Sequence, residues 1–183
     1  MPTYIHQRKE WPRFTWDEEK CMPLLIQVRH KQGKLLGHMQ GMGFNLQSEA
    51  NLQTLTLDVL KSSEIEGVVL DAGQVRSSIA KRLGLDIAGL VPVDRNVDGV
   101  VEMMLDATQN FKEALTTERM FNWHAALFPT GRSGMQKIVV ANWRNNEKSD
   151  PMQVVSGPMG RETVHFQAPD ASLLPDEMSA FLT

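Results

Sequence analysis

The stretch LQTLTLDVLKSSEIEG (residues 52–67) decides the fold class, because its apolar residues recur at the spacing of an α-helix. This spacing places four apolar side chains on or beside one helical face: Leu52, Leu55, Val59 and Leu60. The stretch ends on Gly67, and glycine commonly ends helices because it adopts the left-handed conformation without strain. We therefore predict an amphipathic helix that packs through this face and ends near Gly67.

Two glutamates close this stretch, and helical geometry separates them. At about 100° per residue, Glu66 lies within roughly 20° of Leu55 and Val59, whereas Glu64 lies roughly 160° from Glu66. If the helix continues to Glu66, that carboxylate shares the apolar face and requires a cation or hydrogen-bond donors. Two interpretations remain open: a glutamate turned to solvent or bonded to Arg76 at a fraying helix end, and a carboxylate aimed at a site built by other segments.

Composition excludes several classes of function. The 183-residue chain has 42% hydrophobic and 22% charged residues and a net charge of −3, so we expect a globular protein that does not bind nucleic acid. No segment is apolar over the length of a membrane span, and Cys21 is the single cysteine, so we expect a cytoplasmic protein. We expect no metal site, because the remaining histidines lack ligand spacing: His6, His30, His38 and His165. We interpret His124 as a hydrogen-bonded core histidine.

The chain before residue 52 predicts a short extended segment and two helix starts. Tyr4 to Trp11 is predicted to be extended, and Thr15 to Glu18 has the spacing of a capping box that starts a helix. That helix carries an apolar stripe and ends at the sequence GMGF: Leu24, Leu25, Val28, Leu35, Leu36 and Met39. Ser48 is predicted to cap the helix that follows.

After Gly67 the pattern predicts three more helices and then strands. The helices are expected after Asp71, from about Asp94 to Gln109, and after Thr116 or Thr117. Short valine-rich strands are expected at Lys137–Arg144 and Met152–Gly157, the latter paired with Glu162–Phe166. A last helix begins near Pro175 and runs to Thr183. The fold class is therefore mainly α with a small β-hairpin.

The hairpin from Met152 to Phe166 has two interpretations. It is either an ordinary structural hairpin or a docking element, since an exposed strand edge can accept an extended peptide by strand addition.

Four stretches together resemble the Fic family of protein adenylyltransferases, which transfer AMP from ATP to Ser, Thr or Tyr hydroxyls of proteins. SSEIEG fits the family's inhibitory motif, and YIHQRKEWPRFTWD is similar to the small domain that precedes some Fic domains. LTTERMFNWHAALFPTGRSGMQKIVVANWR is similar to the start of the Fic core, and MQVVSGPMGRETVHFQAP resembles the flap hairpin that docks the target. The resemblance covers nearly the whole chain and implies a Fic-like helical bundle.

The resemblance implies roles for individual residues. Glu66 takes the role of the inhibitory glutamate, Ser62 that of its supporting hydroxyl, and Gly67 closes the motif. The residues of the flap that would dock a protein substrate are Met152, Gln153, Val154, Val155, Ser156, Gly157, Val164, His165 and Phe166. Residues 1–90 would form an N-terminal regulatory domain, and residues 91–183 the first part of the Fic core.

The family's catalytic signature, His-Pro-Phe-x-x-Gly-Asn-Gly-Arg, does not occur in these residues. In the family, its arginine pairs with the inhibitory glutamate, and ATP then binds unproductively. ATP and Mg²⁺ are implied for the complete enzyme, but we expect this chain alone to bind no cofactor and to transfer no AMP.

Three functions remain open on this basis. The chain is the N-terminal regulatory and docking portion of a Fic adenylyltransferase, or a stand-alone, antitoxin-like module that inhibits a separate catalytic half. The third is a decayed relative that retains only a docking or dimerisation surface. We expect a homodimer or another covering partner wherever apolar surface is left exposed.

Overall fold

The structure is a computed structural model that describes residues 4–87, 89–146 and 150–182. This part of the chain contains six α-helices and two two-stranded antiparallel hairpins, which confirms a mainly helical fold with a small hairpin. The helices are α1 (Glu18–Gln40), α2 (Phe44–Ile65), α3 (Ala72–Arg82), α4 (Arg95–Gln109), α5 (Thr117–Leu127) and α6 (Leu174–Leu182). The strands are β1 (Arg132–Ser133), β2 (Gln136–Lys137), β3 (Gln153–Ser156) and β4 (Thr163–Gln167). Thr183, the expected end of the last helix, lies outside the described residues.

The chain forms two compact units that divide between Glu49 and Ala50, inside α2. The first unit contains α1 and the start of α2, and the second contains the rest of α2 and all later elements. The functional division into residues 1–90 and 91–183 stays a prediction.

The sequence predicted an extended segment from Tyr4 to Trp11, and this prediction is wrong. Residues Ile5–Gln7 form a 3-10 turn, and further turns follow it. The turn is closed locally, because the Gln7 backbone N–H donates to the Tyr4 carbonyl (3.1 Å) and the Gln7 side chain accepts from the Tyr4 N–H (3.2 Å).

The helix predicted to start at Thr15 to Glu18 does begin there, at Glu18, but with a different cap, whereas the start predicted after Ser48 is wrong. Asp17, rather than Thr15, caps α1, since its carboxylate accepts from the Lys20 N–H at 3.1 Å. α2 begins at Phe44 rather than after Ser48, and the Gln47 side chain donates to the carbonyl oxygens of Met39 and Met42 at 2.8 and 2.9 Å. The Met39 carbonyl also accepts from the Met42 N–H at 3.1 Å, so Gln47 adds a second bond there and ties the start of α2 to the end of α1.

The core of the second unit lies between α2, α3 and α4. The buried apolar side chains come from these three helices: Leu52, Val59, Val75, Ile79, Ala80, Val97 and Val101. Asp71 caps α3, as predicted, by accepting from the Gln74 N–H at 2.8 Å. The Gln74 side chain in turn accepts from the Asp94 N–H at 2.8 Å, which joins the starts of α3 and α4. Thr116 caps α5, also as predicted.

The predicted strand at Lys137–Arg144 is wrong. Only Gln136 and Lys137 are paired, with Ser133 and Arg132 of β1, and the chain then leaves the extended conformation. Ala141 has a φ of +53°, which is incompatible with a strand.

Candidate functional site

The C-terminus of α2 has the hydrogen-bond pattern of a Schellman motif. The Val68 N–H donates to the Ser63 carbonyl at 2.9 Å, and the Gly67 N–H donates to the Glu64 carbonyl at 3.0 Å. Gly67 has a φ of +78°, the left-handed conformation predicted for it. Glu66 is therefore the residue at which the backbone leaves the helix, one position after the last residue of α2.

The side chain of Glu66 is exposed to solvent, so it does not share the buried face of α2. The expected inward orientation required a helix that reached Glu66, and the Schellman motif ends α2 at Ile65. No hydrogen bond or ion pair of the Glu66 carboxylate, including one to Arg76, occurs among the described residues. Glu64 faces water as predicted, and its carboxylate pairs with Lys61 at 2.5 Å.

Ser62 lies one turn before Glu66 and is also exposed. Within the described part of the chain, no hydrogen bond joins the Ser62 hydroxyl to the Glu66 carboxylate. The two residues thus lie one turn apart at the same helix end, and their side chains do not interact. Their roles in inhibition stay predictions.

The hairpin of β3 and β4 forms where the sequence predicted it. Val154 pairs with Phe166, and Val155 pairs with Val164, so the ladder contains a bulge in which His165 is the additional residue. The Ser156 hydroxyl lies 2.6 Å from His165 Nε2, which joins the bulge to the opposite strand.

Both faces of this hairpin are open to solvent, since every residue of β3 and β4 is exposed. Val154 is 58% exposed, and Val155 and Val164 are each 47% exposed. Apolar side chains of this kind are usually covered in a folded protein, so the hairpin presents surface that a partner can bury.

Glycines shape the tip of the hairpin. Gly157 has a φ of +103°, and a Cβ atom there would lie 2.9 Å from the Arg161 carbonyl oxygen. The Glu162 carboxylate accepts from the Gly160 N–H at 2.8 Å, and this bond lowers the pKa of Glu162 below its usual value.

The base of the hairpin is held by contacts that the sequence did not predict. The Ala168 N–H donates to the Met152 carbonyl at 2.9 Å, and the Arg144 guanidinium donates to the Pro169 carbonyl. The segment before Arg144 contacts α5, because the rings of Trp143 and Phe121 lie 4.7 Å apart in an edge-to-face arrangement.

His124 contributes a second contact between α5 and the same segment. Its Nδ1 accepts from the Ala141 N–H at 3.3 Å. The predicted hydrogen bond of His124 is confirmed, but its predicted place in the core is wrong, because the side chain is only half-buried. Beside it an open groove of about 810 Å³ reaches the start of the hairpin, with Trp143, Met152 and Leu174 in its lining.

A polar cluster between α4 and α5 was also missed at the level of sequence. Asp106 accepts from Asn110 (2.8 Å), from Arg119 Nε (2.7 Å) and from Trp123 Nε1 (2.7 Å). These bonds lower the pKa of Asp106 from 3.8 to about 2, and the bond from Asn110 has the largest effect. Because every group in the cluster already has a partner, we interpret it as structural.

Among the described residues, no three His, Cys, Asp or Glu side chains are grouped as ligands for a metal ion. In the same part of the chain, no helix combines the length and the apolar character needed to cross a bilayer.

Comparison with known proteins found a family that matches part of the chain. Residues 4–85 match the family described as a domain of unknown function (DUF4172). This range includes α1, α2 and α3, and therefore the whole helix end that carries Ser62, Glu66 and Gly67. No curated protein matches the chain.

Proposed function

We propose that this chain is the regulatory and target-docking portion of a Fic-type protein adenylyltransferase, with Glu66 as its inhibitory carboxylate. The observation that carries this proposal is the exposed Glu66 side chain at a rigidly ended helix C-terminus, with no cation bound to it among the described residues. A carboxylate near the negative end of a helix dipole is stabilised when a cation binds it. An arginine of a catalytic half fits this requirement.

The Schellman motif supports the proposal because it fixes the direction of the backbone at Glu66. Two backbone bonds hold the residues on either side of it, from Gly67 to Glu64 and from Val68 to Ser63. A carboxylate on a fixed backbone loses less conformational entropy on pairing than one on a frayed end. Exposure makes the same carboxylate accessible to an arginine from another segment or from another chain.

The roles of ATP and Mg²⁺ follow from this assignment. Both would bind to the catalytic half, and this chain would contribute a carboxylate that neutralises the arginine needed for productive ATP binding. We expect the chain alone to show no ATP binding in a calorimetric titration, and micromolar affinity would contradict the proposal. The single cysteine, Cys21, accords with action in the cytoplasm.

The test of inhibition is an AMP-transfer assay with a Fic catalytic domain that lacks its own inhibitory helix. We expect this chain to suppress transfer when added in excess, and Glu66→Gln or Glu66→Gly to abolish the suppression. Glu64→Gln is the matched control, because Glu64 lies on the same helix end and is also exposed but pairs with Lys61. Absence of suppression by the wild-type chain, or equal suppression by Glu66→Gln, would contradict the proposal.

We further propose that the β3–β4 hairpin holds the target segment by strand addition. Main-chain bonds at a free strand edge give affinity with little dependence on sequence, and side chains such as Val154 and Val164 supply apolar contacts. A serine-containing extended peptide should slow amide exchange in β3 or β4 by at least about tenfold. Unchanged exchange in both strands at saturating peptide would count against docking at this hairpin.

A further inference from the structure

Helix α1 has an apolar face that nothing in the proposed function uses. None of its side chains is buried, although the helix is 23 residues long. Six large apolar side chains on or beside this face are between 51% and 63% exposed: Met22, Leu24, Leu25, Val28, Leu35 and Leu36. A contiguous exposed apolar surface of this kind marks an interaction site.

The residues of this face follow the heptad spacing of a coiled coil. Alternating steps of four and three residues connect the central line of the face, which we call the α1 seam: Cys21, Leu25, Val28, Gln32, Leu35 and Met39. The residues that disfavour helices lie on the far side. Pro23, Gly33 and Gly37 are at least about 120° from the centre of the seam.

Charge is compatible with pairing between two copies of α1. In a parallel pair, Arg29 lies opposite Leu24 of the partner subunit, and Lys31 lies opposite Leu36 of the partner subunit. The aliphatic stems of the two basic residues can then cover the leucines while their charges remain in water. No two like charges therefore face each other across these flanking positions.

Gln32 selects the parallel orientation. It is the polar residue in the middle of the seam, and its Oε1 accepts from Arg29 Nη1 of the same helix at 3.0 Å. In a parallel pair it lies opposite Gln32 of the partner subunit, and each amide NH₂ can donate to the second lone pair of the facing oxygen. In an antiparallel pair centred on the seam it would face Val28 of the partner subunit. That arrangement would leave a polar amide against an apolar side chain.

The available area lies at the lower end of what a specific dimer buries. Six leucine-sized side chains, each burying about 100 Å², give roughly 600 Å² on one helix and about 1,200 Å² for the pair, the lower limit for stable interfaces. We propose that α1 pairs in parallel with α1 of a second copy of this chain through the α1 seam. This dimer does not depend on the inhibitory role of Glu66.

The first test is the oligomeric state of the chain and of two matched variants, measured by sedimentation equilibrium. Leu35 lies on the seam and is 61% exposed, whereas Ile26 lies on the opposite side and is 63% exposed. We expect Leu35→Asp to raise the dimer dissociation constant at least about 100-fold and Ile26→Asp to change it less than about threefold. A wild-type monomer at every concentration, or equal effects of the two variants, would overturn the proposal.

The second test needs no substitution on the seam. Cys21 is the single cysteine of the chain, and in the parallel dimer it lies opposite Cys21 of the partner subunit. Oxidised glutathione should therefore convert the dimer to a disulfide-linked species, as two thiols lose their protons and electrons and one oxidised glutathione becomes two thiols. In an antiparallel pair the two sulfurs would be about 27 Å apart. A sedimenting dimer that does not cross-link, or cross-linking that persists in Leu35→Asp, would overturn the parallel pairing.

Discussion

Arg119 Nε lies 2.7 Å from Asp106 Oδ2, and this ion pair joins α5 to α4. The Arg119 side chain is 15% exposed and that of Asp106 is 31% exposed, so solvent only partly screens the pair. Arg119 also donates to the backbone carbonyls of Asp106, Asn110 and Glu113, which holds the loop between the two helices. The cluster is thus a stabilising contact of the second unit.

The lowered pKa of Asp106 makes stability depend on acid pH. Because the pKa is about 2 in the folded protein and near 3.8 unfolded, the contribution is complete above about pH 4 and is lost as the pH falls towards 2. We expect Asp106→Asn to lower the free energy of unfolding by on the order of 1 kcal/mol at pH 7.

The measurement is urea unfolding at several pH values between 2 and 7. The difference between the wild-type protein and Asp106→Asn should shrink across the window from pH 4 to pH 2. Asp58→Asn serves as the control, because Asp58 is exposed on α2 and its carboxylate has no hydrogen bond or ion pair among the described residues. A difference that is independent of pH would show that the charge of Asp106 does not stabilise the fold.

Gly99 allows α4 and α5 to approach closely. A Cβ atom at this buried position would lie 1.9 Å from the Ala126 carbonyl oxygen and 2.7 Å from its carbonyl carbon. Because both atoms belong to the backbone of α5, we expect Gly99→Ala to force the helices apart and to cost about 2–4 kcal/mol. Thermal or urea unfolding measures this loss.

Gly37→Ala is the control for this change. Gly37 also lies inside a helix, but a Cβ atom there meets nothing within 4 Å. We expect this substitution to increase helix content slightly, since alanine has the higher helix propensity. Equal stability of Gly99→Ala and the wild-type protein would mean that the helices are not packed so closely.

The sequence predicted those elements whose ends are set by local signals. The side chains of Asp71 and Thr116 each accept a hydrogen bond from the backbone N–H three residues later, so both caps could be recognised from spacing alone. Thr15 and Ser48 carry the same local signal but are overruled. Asp17 competes with the first, and the bonds of Gln47 to the end of α1 start α2 before the second.

Contacts between distant residues could not be predicted in this way. The valine-rich segment after Lys137 has the composition of a strand, yet its course is set by His124 and Phe121, both on α5. For the candidate site, the motif correctly located the helix end and Gly67. The orientation of Glu66 was predicted wrongly, because it depended on whether α2 ends at Ile65 or one residue later. Since each helical residue rotates the side chain by about 100°, an error of one residue in the helix end places Glu66 on a different face.

The left-handed conformation of Gly67 gives a prediction for the helix end that carries Glu66. A Cβ atom at Gly67 meets nothing within 4 Å, so substitution costs only conformational energy. We expect Gly67→Ala to destabilise the protein by about 1 kcal/mol and Gly67→Asn by less, because asparagine tolerates this conformation better. Urea unfolding of the three proteins checks the order, and an alanine variant as stable as the wild type would contradict it.

Ala141 presents the opposite case, a residue with a side chain where glycine is preferred. Its φ of +53° lies in the left-handed region, which costs an L-residue about 1–2 kcal/mol. The bond from its N–H to His124 Nδ1 helps to hold the backbone there. We expect Ala141→Gly to raise the free energy of unfolding by about 0.5–1 kcal/mol, since the relief of strain exceeds the greater entropy of unfolded glycine.

The β-branched variant Ala141→Val should act in the other direction and cost more than about 1 kcal/mol, because a branched side chain is the least compatible with positive φ. His124→Phe separates strain from anchoring, since it removes the acceptor of the Ala141 N–H and keeps a ring on α5. We expect it to destabilise the wild-type protein, and to increase amide exchange at residue 141 as well. A glycine variant less stable than the wild type would show that the loop does not store strain at Ala141.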